Sequence, residues 1–300
     1  MAVVPRPSKI LTTEEVRWRD TYESLLSKGF RLRKRYHPKW KPTWTTDKYP
    51  SAEDAMELED EPGDTNDALV IGRADLPKQV VLKFATDTEI EILKHLHYVT
   101  NEGEVNHIIP LLDVVPCDDG GHILVMPFCG HIEDKPYFTT STELLNAVLQ
   151  ITQGLEFMHR HRVAQGNVHL RNLVEDRSKL VPDGFHFIRN DCNAEFTRPI
   201  KVDARGRSSL KPLCYLADFS AAKIVMPGDG ANAMFLQDVR QLGHMIDVLH
   251  TNYRNSLPLL TKLTDRMMDH DEELSAKSVV KEVEKLLEGN PVALRHGFVL

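Results

Sequence analysis

Leu216-Ala-Asp-Phe-Ser-Ala-Ala, preceded about fifty residues earlier by Val163-Ala-Gln-Gly-Asn-Val-His-Leu-Arg-Asn-Leu-Val, is the stretch on which the reading of this chain turns. Asp218 opens the triplet Asp-Phe-Ser. Asn167 and Asn172 stand five residues apart in the earlier strip. Between the strips, residues 177–212 hold several Pro, Gly and Asn residues and read as irregular chain. Ahead of them the texture is helical. Thr140-x-x-Glu143 has the form of a capping box, in which a Thr hydroxyl and a Glu carboxylate each serve the other's backbone N–H. Leu144, Val148, Ile151, Leu155 and Met158 then recur at spacings of four and three, the mark of one buried helix face. Helices are also predicted over 235–250, 257–268 and 277–287.

The first third differs. Residues 12–28 read as a helix that Gly29 stops. A basic run, 31–41, holds Tyr36 and Trp40; it suits a solvated strand edge better than a nucleic-acid contact or an import signal. Residues 51–67 are acidic and poor in large apolar side chains, as a mobile loop would be. Ala68-Leu-Val-Ile and Gln79-Val-Val-Leu-Lys-Phe read as strands joined by a hairpin at Ala74-Asp-Leu-Pro-Lys. A helix over 89–97 and strands over 108–115 and 122–128 complete an α+β chain, strand-rich first and helical afterwards. The divisions expected are an N-terminal extension at 1–67, a β-rich lobe at 68–128 and a helical lobe at 129–300, with an irregular insertion at about 177–213.

A 300-residue chain that is 41% hydrophobic can bury a sizeable core. Its net charge of -7 implies no global attraction to nucleic acid or anionic membrane. No apolar run approaches the roughly 18 residues of a membrane span. Cys117, Cys129, Cys192 and Cys214 form no Cys-x-x-Cys pair and read as reduced thiols of a cytoplasmic or nuclear protein.

The order of the pieces carries a resemblance. A strand bearing Lys83 is followed by a helix with Glu89, then by Leu124-Val-Met-Pro-Phe, which resembles a kinase hinge. A long helix ends at Phe157-Met-His-Arg-His-Arg-Val; the Asn167/Asn172 loop, Asp218-Phe-Ser and Asp238-Val-Arg-Gln-Leu-Gly follow. From about residue 68 to 287 this resembles the eukaryotic protein kinase domain. It is closer still to divergent kinase-like proteins of basidiomycete fungi, which carry segments like Trp40-Lys-Pro-Thr-Trp and Pro182-Asp-Gly-Phe-His. The fold so implied is bilobal, with a small β-rich N-lobe and a larger helical C-lobe.

The resemblance implies roles. Lys83 would grip nucleotide phosphates and pair with a helix glutamate; the bland alternative is an edge-strand lysine in solvent. Glu89 is the candidate partner, although Thr86-x-x-Glu89 also fits a capping box and only six residues separate it from Lys83. Met126, Phe128 and Cys129 would line the nucleotide. Asn172 and Asp218 would hold Mg²⁺, the alternative being local hydrogen bonds.

Several family features are missing. No glycine-rich phosphate loop precedes Lys83. Ser220 replaces the glycine after Asp-Phe, and Gln165-Gly166-Asn167 replaces His-Arg-Asp. The amide of Asn167 cannot take a hydroxyl proton as a carboxylate does, and losing a general base costs about 10²–10⁴-fold. Asp218 and Asp238 are only 20 residues apart with no Ala-Pro-Glu between them, and Glu273 stands where that motif's arginine partner would be. His159 and His161, two apart on a helix, are expected to sit at its negative end rather than on a metal.

The reading is a pseudokinase: a module that binds a protein partner, with at most weak binding of ATP and Mg²⁺. A weakly active Ser/Thr kinase and a nucleotide-free scaffold are the alternatives.

Overall fold

A computed structural model describes residues 11–41, 65–194, 197–226, 228, 230–251 and 257–289. Most of the acidic stretch at 51–67, together with Trp44 and Gly63, lies outside these residues. The chain is α+β, and its described residues group into two compact units. One draws on 1–87, 111–128 and 185–200. The other draws on 88–110, 129–184 and 201–300.

The first unit is built on an antiparallel five-stranded sheet in the order β1-β2-β3-β5-β4. Its strands are β1 (Phe30–Leu32), β2 (Thr65–Val70), β3 (Gln79–Ala85), β4 (Asp113–Pro116) and β5 (His122–Pro127). β3 is central, pairing Val81 with Met126 on one side and with Asp67 on the other. Two short helices, α1 (Thr13–Asp20) and α2 (Tyr22–Ser27), replace the single helix expected over 12–28, with Thr21 as the break. Trp18, Tyr22, Leu25, Phe30, Leu32 and Tyr36 share one core with Ala68, Val80, Leu82, Val115, Ile123 and Val125. Residues 11–41 are therefore part of the sheet's core, and no core boundary falls at 67/68.

The basic run is only in part the solvated strand edge expected. Its first residues form β1, an edge strand. Arg35, 1% exposed, is paired with the buried carboxylate of Glu15, with one bond at 3.1 Å from Nη2 to Oε2. Tyr36 is fully buried. A hydrophobicity pattern does not show that a charge has a buried counter-charge twenty residues away.

The second unit is mainly helical: α3 (Asp87–Tyr98, of which Asp87 groups with the sheet), α4 (Ser141–Arg160), α5 (Gly206–Leu210), α6 (Ala231–Thr251), α7 (Pro258–Met268) and α8 (Ala276–Gly289). Leu144, Val148, Ile151, Leu155 and Met158 of α4 are all completely buried, as their spacing requires. The capping box at its start is half made. Thr140 Oγ1 accepts from the Glu143 N–H, but the Glu143 carboxylate takes the N–H and hydroxyl of Thr139 instead. Gly154 lets α4 pass close to the 107 region, since a Cβ there would sit 3.0 Å from His107 O.

Short strands β6 (Gly130–His131), β8 (Leu173–Glu175) and β9 (Cys214–Leu216) form one ribbon, and β7 (Val163–Ala164) with β10 (Lys223–Ile224) another. None is long enough to show a period-two pattern, so none was visible in the sequence. The expected strand over 108–115 is realised only as β4 and as a bridge from Ile108 to Leu216.

Candidate functional site

The backbone brings the two strips together. β8 and β9 pair antiparallel, with Leu173 opposite Leu216, and the Ala217 N–H donates to Asn172 O at 2.8 Å. Asn172 thus leads into one strand where Asp218 leaves the other. Burial of Leu173, Cys214 and Leu216 anchors this crossing and leaves the polar ends of the strips at its margin.

The earlier strip hangs on Asp238, a residue of α6 that is 1% exposed. Its Oδ2 accepts from the Gln165 N–H at 2.8 Å and lies 2.9 Å from His159 Nε2, while Oδ1 accepts from the Gly166 N–H at 2.8 Å. A buried carboxylate is tolerable only with such partners, and bonds to an ionised acceptor are about twice as strong as neutral ones. His159 also stacks on Phe235, with centroids 4.3 Å apart. His159 lies in the last turn of α4, the helix end expected for it, and its ring is in addition a partner of Asp238.

Gln165 joins the strips. It is fully buried, its Oε1 accepts from the Asn167 N–H at 2.6 Å, and its Nε2 donates to Asp218 O at 3.0 Å. Only a side chain that accepts at one atom and donates at another can make both bonds. Gly166 between them has φ +77°, and a Cβ there would lie 2.7 Å from Ala221 O. The site requires glycine for conformation and for space alike.

Asp218 occupies the left-handed region at φ +57°, which aspartate enters more readily than most residues. Its Oδ1 accepts from the Ser220 N–H at 3.2 Å. Phe219 is buried, and its N–H donates to Glu89 Oε1 at 3.1 Å. Glu89, 3% exposed on α3, thus holds the Asp-Phe-Ser backbone, a contact that neither sequence reading of Glu89 contained. Asn172 donates through Nδ2 to Asn167 O at 3.0 Å, which turns its Oδ1 outward from that bond. Asn167 itself is exposed.

Asn172 Oδ1 and the Asp218 carboxylate are hard oxygen donors, of a type that could hold a divalent cation, on residues whose backbone the β8–β9 pairing brings near each other. Mg²⁺ characteristically takes one or two protein oxygens and completes its octahedron with water and phosphate. Among the described residues no group of three or more His, Cys, Asp or Glu side chains could hold a metal by itself.

In the sheet unit, Lys83 lies on the central strand and is 5% exposed, so the solvent-edge alternative fails. Met126 is buried opposite Val81. The ring of Phe128 is stacked on Phe185 at 4.7 Å, which commits one of its faces to the protein. Cys129, in the helical unit, has its thiol pushed up by burial and is a poor nucleophile.

Gln165 and Asp238 were legible as letters but not as parts. Asp238 did leave a signal, a carboxylate on the apolar face of α6 beside Val239 and Leu242, since such a charge must be met from another element.

The chain is 30% identical over 102 residues to cell division control protein 2 homolog 3 of Trypanosoma brucei brucei. The match covers 32% of this chain and 30% of that protein. It supports a protein-kinase-like domain. No family model matches the chain. No helix among the described residues is long and apolar enough to cross a membrane.

Proposed function

We propose that this chain is a pseudokinase of the divergent type its motifs resemble, a bilobal module that engages a protein partner and binds ATP with Mg²⁺ weakly. The observation that carries this is the state of the catalytic-type loop. It is fully braced by Asp238 and Gln165, yet presents an amide, Asn167, where a base would act. In this reading Lys83 serves the phosphates, and Asn172 with Asp218 the cation. The free thiols suit a cytoplasmic or nuclear setting.

The retained pair Asn172–Asp218 favours a second reading, a weak ATP-dependent Ser/Thr kinase, because phosphoryl transfer is mostly positioning and charge stabilisation. Thermal shift with ATP and Mg²⁺, with and without EDTA, is expected to show a small metal-dependent rise. No rise would favour a nucleotide-free scaffold, and tight binding in EDTA would refute the assignment of the cation pair. Phosphate transfer to a mixed peptide pool separates the other two readings. Asn167→Asp is expected to leave transfer at the level of an Asp218→Ala blank. A missing base alone would predict a rise of about two to four decades. Misplacing the acceptor by an ångström costs about 10²-fold on its own, and the short 218–238 segment offers no shelf for a peptide. Strong Asp218-dependent transfer in Asn167→Asp would overturn the pseudokinase reading.

A further inference from the structure

The irregular stretch between the two strips contains Asp203-Ala-Arg-Gly-Arg-Ser-Ser-Leu-Lys. Among the described residues its only helix or strand is α5, five residues entered at Gly206 with φ +67° and left at Lys211 with φ +45°. A helix this short has no stability of its own and is held by what it touches. Two contacts hold it. Arg207 is buried, paired with Glu175, donates to Pro136 O at 2.6 Å, and lies over the Phe138 ring at 4.5 Å. One residue on, Ser208 gives both its N–H (3.1 Å) and its hydroxyl (2.6 Å) to Oε1 of Glu143 on α4. The carboxylate of Glu143 is held below its usual range; burial opposes this, but the hydrogen bonds of Ser208 and Thr139 outweigh it.

The second contact differs from the first in accessibility. Ser208 is an exposed residue whose hydroxyl proton is what satisfies a carboxylate, and Arg205, three residues earlier, projects into solvent with 67% of its side chain exposed. Among the described residues Arg205 pairs with Asp203, two residues earlier, a surface bridge of little strength. An exposed serine three residues after an exposed arginine is the arrangement that arginine-directed Ser/Thr kinases read.

We propose that Ser208 is a phosphorylation site, and that its modification releases α5 from α4. The co-substrates are ATP and a separate arginine-directed Ser/Thr kinase. The Ser208 Oγ–P bond forms as the bond between the γ-phosphorus and the β,γ-bridging oxygen breaks. ADP leaves, and the hydroxyl proton passes to the modifying kinase's base. The product replaces a donor with a group carrying about -1.5 to -2 charge, placed against Glu143. A hydrogen bond becomes a like-charge contact. Release would open the cavity of about 260 Å³ lined by Thr142, Glu143, Asn146, Gln150 and Arg207.

The test uses the full chain, ATP and the catalytic subunit of cyclic-AMP-dependent protein kinase. One phosphate is expected by intact mass, mapped by peptide sequencing to Ser208, absent in Ser208→Ala and retained in Ser209→Ala. Amide exchange over 206–213 is expected to rise at least about tenfold on phosphorylation. Glu143→Gln, which removes the opposing charge but keeps the acceptor oxygen, is expected to reduce that rise. A phosphate confined to Ser209, no phosphate, or a phosphorylated Ser208 with unchanged exchange would overturn the proposal. So would an equal rise in Glu143→Gln.

Discussion

Substituting Asp238 by Asn tests the post on which the catalytic-type loop hangs. The carboxylate accepts two backbone N–H groups and meets one imidazole, all within 2.9 Å. An amide has one oxygen and one NH₂ in their place. If its oxygen faces Gln165 and His159, the NH₂ meets the Gly166 N–H. If it is turned round, the NH₂ meets the Gln165 N–H, and His159 keeps a bond only by changing tautomer. Either way one backbone donor faces another donor. An unsatisfied buried donor costs about 1–3 kcal/mol, and turning the surviving bonds from charged to neutral costs roughly a further 1. The expected loss is about 2–4 kcal/mol in urea unfolding. Amide exchange should locate it: protection falls at 165 or 166 and stays unchanged in the sheet unit. Asp238→Ala, which strands both donors and leaves a void, should lose more. A loss below about 1 kcal/mol, or unchanged protection at both amides, would show that the loop is held by something else.

Three further outcomes are expected. Removing either partner of the buried Glu15–Arg35 pair, as Glu15→Leu or Arg35→Met, should cost about 3–5 kcal/mol, whereas the double variant should recover much of it; urea titrations of all three check this. Gly166→Arg should destabilise by about 1–3 kcal/mol because of the positive φ and the 2.7 Å approach of Ala221 O, read as a lower thermal midpoint. The imidazole of His186 is held down at about 4 by burial, then by Arg33 and Arg189, and its Nδ1 accepts the Ile188 and Arg189 N–H groups. The folded state therefore binds this proton less readily than the unfolded chain does. Stability should be full above about pH 6.5 and decline as pH falls toward 4, and His186→Asn, which keeps an acceptor, should flatten that decline.

The legible parts of this fold were those with long periods or fixed spacings. The buried face of α4 spans many turns, and the Lys83 strand is apolar enough to be read alone. The five-residue spacing of Asn167 and Asn172 can be read whatever side chain stands at either position. What could not be read depends on partners distant in sequence. Arg35 was read as surface with the rest of its basic run, because nothing local shows that Glu15, twenty residues earlier, is buried against it. The bond that Glu89 accepts from the Phe219 N–H could not be read at all, because Phe219 lies 130 residues later and no local pattern announces it. The strands β6–β10 have two or three residues each, too short for alternation to show.

The bonds that fix the loop also explain how its chemistry could change without its shape. Asp238 holds the backbone at 165 and 166, Gln165 holds the N–H of 167 and the carbonyl of 218, and Asn172 holds the carbonyl of 167. None of these bonds uses the side chain of Asn167, which is exposed. Carboxylate or amide at that position is thus nearly neutral for the fold, whereas an apolar residue at 165 would strand two buried polar groups at about 1–3 kcal/mol each. In this chain the side chain at 167 and the scaffold are separable. On the proposed pseudokinase reading, a loop without a carboxylate at 167 would still present a braced polar surface with two oxygen-bearing residues at its edge, suited to binding rather than turnover.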